Sequence, residues 1–243
     1  MLSIVIPAHN EDSCIESTIK ELHRCLNMEK IIHEIIAVND NSEDQTSFIL
    51  EQLAQKISEL RVVNNTLPNG YGLAVRRGIE EAKGEYVAIM MADASDYPED
   101  LIRFVYKAEE GNYDAIFGDR FTKGGGAIDY PLLKFLLNRL TNWIIALLFA
   151  TQYTDTTNAF KLYRRKTLEG LKPFLSSHFN LTVELPLKII VRGYSYAILP
   201  NRWTNRKNGV SKLKIKEIGS RYWFIIFYCL IEKWLSAGDF RKK

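Results

Sequence analysis

Short apolar runs that close in a polar turn and lead into helical periodicity leave this 243-residue chain few architectures. Leu2 to Ile6 has the length of a buried strand and stops at Pro7. Glu11 to Leu26 then carries Ile15, Ile19, Leu22 and Leu26 on one helical face. Glu34 to Val38 reads as a second strand, closing in Asn39-Asp40-Asn41-Ser42, and Asp44 to Leu60 as a second helix. Leu60 to Asn64 is a weaker strand. Asn69-Gly70-Tyr71-Gly72 opens a helix to Ala82, and Tyr86 and Tyr113 begin a fourth and a fifth strand. Such alternation implies an α/β fold with a mostly parallel sheet, right-handed crossovers and a ligand at the carboxyl ends of the strands.

The fourth strand ends in the burst Ala92-Asp-Ala-Ser-Asp-Tyr-Pro-Glu-Asp100. Pro98 suits the first position of a helix. Asp93, Ser95 and Asp96 offer hard oxygen ligands of the kind Mg2+ or Mn2+ takes beside a diphosphate. A plainer reading makes Asp96 a helix cap and Asp93 a turn residue.

At 47% hydrophobic the chain can bury a sizeable core, and its net charge of +3 gives no reason to expect nucleic acid. Cys14, Cys25 and Cys229 have no metal or redox spacing, so a reduced, cytosolic setting is expected. Met1 to Pro7 opens directly into a strand, which predicts no signal peptide. No run is expected to reach the roughly 20 apolar residues of a transmembrane helix.

Eight segments, in order over residues 1–213, resemble family 2 glycosyltransferases of the GT-A fold, most closely the dolichol-phosphate mannose synthase and polyprenyl-phosphate glycosyltransferase group. They are Ile-Pro-Ala-His-Asn-Glu (6–11), Val-Asn-Asp-Asn-Ser-Glu-Asp (38–44), Asn-Gly-Tyr-Gly-Leu-Ala (69–74) and Ala-Lys-Gly-Glu-Tyr-Val (82–87). Residues 92–100, Gly-Asp-Arg-Phe (118–121), Asp-Thr-Thr-Asn-Ala-Phe-Lys-Leu-Tyr-Arg (155–164) and Arg-Lys-Asn-Gly-Val-Ser-Lys-Leu (206–213) complete the set. The resemblance implies an inverting hexosyltransferase acting on GDP-mannose or a UDP-sugar with Mg2+ or Mn2+. Pro7, Asn10, Glu11, Asn39, Asp40, Asn69, Gly70 and Ala92 would line the donor, Asp40 accepting a base N–H. Asp93 would be catalytic, holding the metal with Ser95 or Asp96. The group usually carries Asp-Ala-Asp where Met91-Ala92-Asp93 stands, an Asp at Asn39 and a Ser at Asp119.

On the acceptor side the resemblance implies that Arg120, Arg139 and Arg206, with Lys212, hold the phosphate of a polyprenyl (dolichyl or undecaprenyl) acceptor, which planar guanidinium forks suit. A phosphate nucleophile needs no strong base. A sugar hydroxyl would, with Asp155, Asp119 and the more distant Glu184 as candidates. A nucleotide-sugar-binding protein without turnover is the third possibility. The apolar runs 131–150 and 222–231, the second behind the basic segment Arg202 to Arg221, suit a membrane interface, packing on the sheet, or dimerisation. The expected layout is a GT-A domain over 1–213 and an amphipathic interfacial helix with a basic tail over 214–243. Attachment would be peripheral, on the cytoplasmic face, alone or through a membrane-anchoring protein partner.

Overall fold

The computed structural model describes residues 1–205, 215–236 and 238–242, with the backbone alone for 215–218. Its elements are β1 (Leu2–Ala8), α1 (Ile15–Met28), β2 (His33–Asn39), α2 (Thr46–Ala54), β3 (Leu60–Asn64), α3 (Tyr71–Glu81), β4 (Tyr86–Ile89) and α4 (Pro98–Glu110). There follow β5 (Ala115–Asp119), β6 (Gly126–Ile128), α5 (Leu132–Phe149), β7 (Lys161–Arg164), α6 (Arg165–Gly170), α7 (Leu181–Val191), β8 (Tyr196–Pro200), β9 (Arg202–Thr204) and α8 (Ile215–Leu235). One seven-stranded sheet runs β3-β2-β1-β4-β7-β5-β8, and β6 pairs with β9 beside it. Every pairing in the main sheet is parallel except those of β7, which runs antiparallel between β4 and β5.

Strand alternation divides the core. Leu2, Ile4, Ile6 and Ala8 of β1 face α1, α2 and α4, whereas Val5 joins Ala74, Val75 and Ile79 of α3 and Leu181, Leu185 and Ile189 of α7. A third cluster joins α5, α7 and α8 through Ile145, Phe149, Val183, Leu187, Ile225, Ile226, Cys229 and Leu230. The second helix stops at Ala54, well short of Leu60, and starts at Thr46, whose N–H is accepted by Asp44 Oδ1 at 2.9 Å.

The expectation that no run could cross a membrane is corrected by α5. Its 18 residues are long and apolar enough by length and composition, although Lys134 and Arg139 interrupt them. Few of them are buried: Leu133, Leu136, Leu140, Trp143 and Leu147 are all exposed, at 3- and 4-residue spacing along one face. On α8 an inner apolar face packs on α7, and Phe224, Phe227, Ile231 and Trp234 form a second, exposed one.

Candidate active site

The loops leaving β1 and β2 are tied to each other by short polar bonds. Parallel register sets Ala8 beside Asn39. Asn10 and Asn41 sit at φ 52° and 55°, a left-handed conformation that asparagine tolerates better than most residues. The N–H of Asn10 donates to Ser42 Oγ at 3.1 Å, that of Glu43 to Asn10 Oδ1 at 2.8 Å, and that of Glu11 to Thr46 Oγ1 at 2.8 Å. Asn39 accepts from Ser42 N–H at 3.1 Å and donates to Asn64 Oδ1 at 2.9 Å. Asp40, buried, accepts from Asn65 Nδ2 at 2.8 Å and from the N–H of Gly70 at 2.9 Å. Each of its oxygens keeps a lone pair, so it can still accept from a ligand. A Cβ on Gly70 would lie 2.3 Å from the carbonyl oxygen of Ser177, so glycine is needed there for space. Pro7 ends this rim from within β1, Asn69 is exposed beside Gly70, and Ala92 is buried with its carbonyl accepting from Thr18 Oγ1 at 2.9 Å.

The turn after β4 is built around Ala94 at φ 57°, which for a residue with a Cβ costs roughly 1–2 kcal/mol. Asp93 Oδ1 accepts the N–H of Ser95 at 3.2 Å. Asp96 does not cap α4, whose N-cap is Tyr97 with Pro98 behind it. Its carboxylate folds back and accepts the N–H of Met91 at 3.0 Å. Burial, reinforced by Asp93 and Asp100 and opposed by the Met91 N–H, pushes the Asp96 carboxyl up to about 7. Ser95 Oγ is buried with no hydrogen-bond partner among the described residues. Two carboxylates and an orphaned hydroxyl in one turn fit a hard divalent cation.

Across the cleft, Arg120 is the centre of a buried knot. Its Nε and Nη2 donate to Asp155 at 2.8 and 2.7 Å, and its own N–H to Asp155 Oδ2 at 3.0 Å. The rings of Phe121, Tyr130 and Trp203 surround the guanidinium at 5.3, 5.5 and 5.6 Å. Burial works against its charge, but Asp155 more than offsets that and holds the group above its usual range. Arg139 lies over the same Phe121 ring at 4.5 Å and donates to the carbonyl of Thr154 at 2.9 Å. Asp119 accepts from the N–H of Phe121 and from Thr154 Oγ1, both at 2.8 Å. Glu184 is buried against Lys188 at 2.6 Å and accepts the N–H groups of Leu175 and Ser176. Arg206 and Lys212 lie outside the described residues.

Sequence reasoning missed the aromatic box and Lys161. The buried Lys161 ammonium donates to the carbonyls of Thr156, Asn158 and Thr182 and pins the loop that carries Asp155. Burial pushes it down to about 7 against the pull of Asp155. The adjacency of Arg120 and Phe121 was the one visible hint. Tyr130 follows β6 and Trp203 lies within β9, paired with Ala127, in a ribbon that has no sequence signature.

Comparison with known proteins agrees with the fold and gives the family. Residues 3–171 match the family model described as Glycosyl transferase family 2. A dolichol-phosphate mannosyltransferase of Pyrococcus furiosus is 28% identical over 223 residues, 89% of this chain and 60% of that protein. The chain therefore spans somewhat more than half of that relative's length. A polyprenol monophosphomannose synthase of Mycolicibacterium smegmatis is 28% identical over 216 residues, 86% of this chain and 80% of that one. Among solved structures, glucosyl-3-phosphoglycerate synthase of Mycobacterium tuberculosis, bound to phosphoglyceric acid, superposes with a TM-score of 0.70 at 19% identity. That match covers 96% of this chain and 79% of the other. The same protein with Mn2+, UDP and phosphoglyceric acid gives 0.69 at 18%, covering 96% and 78%. At that identity the likeness establishes the GT-A fold.

Proposed function

The chain belongs to glycosyl transferase family 2, and from that premise we propose that it moves a hexose, of the mannose or glucose class, from a nucleotide-sugar to a polyprenyl phosphate. The donor, GDP-mannose or a UDP-sugar, lies along the rim formed by Pro7, Asn10, Glu11, Asn39, Asp40, Asn69, Gly70 and Ala92. Asp40 reads the base through an N–H. Asp93, with Ser95 and Asp96, holds Mg2+ or Mn2+, and the ion supplies positive charge to the departing diphosphate. The names of the relatives support the donor and acceptor classes, and the buried, unpartnered Ser95 Oγ supports the cation site.

One observation carries the choice of a phosphate acceptor. Asp155 is consumed by three bonds from Arg120, which leaves Asp119, held only by the neutral donors Phe121 N–H and Thr154 Oγ1, as the one nearby carboxylate that hydroxyl transfer could use. A hydroxyl nucleophile needs a carboxylate ready to take its proton, whereas a phosphate oxygen arrives ionised. Displacement at the anomeric carbon then proceeds with inversion and without a strong base. Since Arg120 is already neutralised by Asp155, Arg139 meets the acceptor phosphate as a charge, joined by Arg206 and Lys212. Arg120 and its rings shape the pocket wall.

The exposed apolar faces of α5 and α8 support a peripheral position on the cytoplasmic face of a membrane, directly or through an anchoring protein. In this arrangement residues 1–213 carry the chemistry and 214–243 the attachment. Incubation with GDP-mannose or UDP-glucose, Mn2+ and undecaprenyl or dolichyl phosphate tests the reading. It expects a glycolipid product that disappears in Asp93→Ala. Product formed only on a saccharide acceptor would replace it with hydroxyl transfer, and donor binding without any product would remove turnover altogether.

A further inference from the structure

Between the 175–180 segment and the start of α8 lies a groove of about 450 Å3, whose lining residues Ser177 and His178 also abut Gly70. Ser177, His178, Asn180, Ser220 and Arg221 converge on it, and Phe224 closes one side. No Asp or Glu among the described residues lines it, and Arg221 forms no ion pair among them. Hydroxyls, an amide, an imidazole and a guanidinium are the donors that phosphate oxygens accept from.

What leads away from the groove is equally informative. Phe224 is followed by Phe227, Ile231 and Trp234, exposed by 62%, 57%, 55% and 66%, at spacings that keep them on one side of α8. A soluble phosphate would use the groove and leave the aromatic track unused. An apolar protein helix would use the track and have no use for Arg221. An anionic head on a long apolar chain uses both.

We infer that this groove binds the phosphate headgroup of a membrane lipid, with the lipid chain laid along Phe224, Phe227, Ile231 and Trp234. The inference rests on the proposed membrane position but not on the transfer chemistry. Arg221 forks onto the phosphate oxygens, Ser177 donates beside it, and the aromatic side chains replace water around the first methylenes.

Flotation of the full chain with phosphatidylcholine vesicles, with and without phosphatidic acid, tests it. The wild type should float with the phosphatidate vesicles. Arg221→Gln should weaken that binding about tenfold, the loss of one charged hydrogen-bonded contact. Arg24→Gln, which removes an exposed arginine on α1, outside the attachment segment, should change it less than about twofold. Inorganic phosphate should compete better than chloride at equal ionic strength. Equal melting temperatures of the variants exclude a folding artefact. Arg221→Gln floating like the wild type, or Arg24→Gln losing as much, would overturn the site while leaving the membrane position intact. A wild type that floats with neither vesicle removes both, and turnover on a short-chain, water-soluble polyprenyl phosphate would still report on the enzyme.

Discussion

Asp40 and Asp155 are both buried carboxylates at the same edge of the sheet, and they are held in opposite ways. Asp40 is fixed by neutral donors, an amide side chain and the N–H of Gly70. Asp155 is fixed by a guanidinium that takes both its oxygens. Neutral donors position a charge without cancelling it, so Asp40 stays able to answer a ligand. An ion pair cancels what it positions, so Asp155 becomes part of the scaffold. The donor half of the cleft thus keeps Asp40 as an open acceptor, and the acceptor half is walled by the closed Arg120–Asp155 pair.

The largest effect should come from opening that wall. Asp155→Ala leaves a buried guanidinium with no counter-charge and should lower unfolding stability by about 3–5 kcal/mol in urea titrations. Pairing it with Arg120→Met should recover most of the loss; a double variant no better than the single one would mean that the two groups do not compensate each other. On the other side, Asp40→Asn should weaken donor binding by about 1.5–3 kcal/mol in calorimetry, with stability nearly unchanged. If instead stability fell and donor affinity held, Asp40 would belong with the scaffold. Gly70→Ala pushes a methyl onto the Ser177 carbonyl and should cost about 1–3 kcal/mol while raising the donor KM, since the N–H that steadies Asp40 must shift.

The smallest effect concerns a carboxylate of mixed type. Asp114 accepts from Ser195 N–H and Oγ, both at 2.8 Å, and from Lys242 at 2.7 Å. Burial alone would raise its proton affinity, but Lys242 and Ser195 outweigh that and hold the carboxyl below the usual range. Its stabilisation is therefore complete above about pH 4 and is lost as pH falls through the lower folded value. Asp114→Asn should melt below the wild type near about pH 7, and the two should converge near about pH 2. A gap that persisted in acid would assign the difference to packing.

The two halves also differed in how far their sequence disclosed them. On the donor side the signals are contiguous: an apolar run, a polar turn, a left-handed Asn10 or Asn41, a Gly70 before a helix. Each follows from rules that reach only a few residues, so β1 to β4 and their loops were readable. Of the two readings of Asp96 only the helix cap fails, because a side chain choosing between the helix ahead and the strand behind depends on which N–H lies closer. On the acceptor side Arg120 finds Asp155, Asp119 finds Thr154, and Tyr130 meets Trp203. Contacts across such separations leave no periodicity to read. β7 and β8 also went unread, because neither leads through a polar turn into a long helix as β1 to β4 do.

The direction of β7 has a consequence of its own. In a fully parallel sheet each strand opens onto the ligand-bearing rim once, through its exit. Lys161 is paired with Ile89 and Phe117 near the exits of β4 and β5, so this one strand presents its entrance there instead. The rim gains the 150–160 connection as an additional lip at no cost in width. Because that lip is anchored from downstream, exchanging it should retune which acceptors fit while the neighbouring strands and their turns keep their alignment.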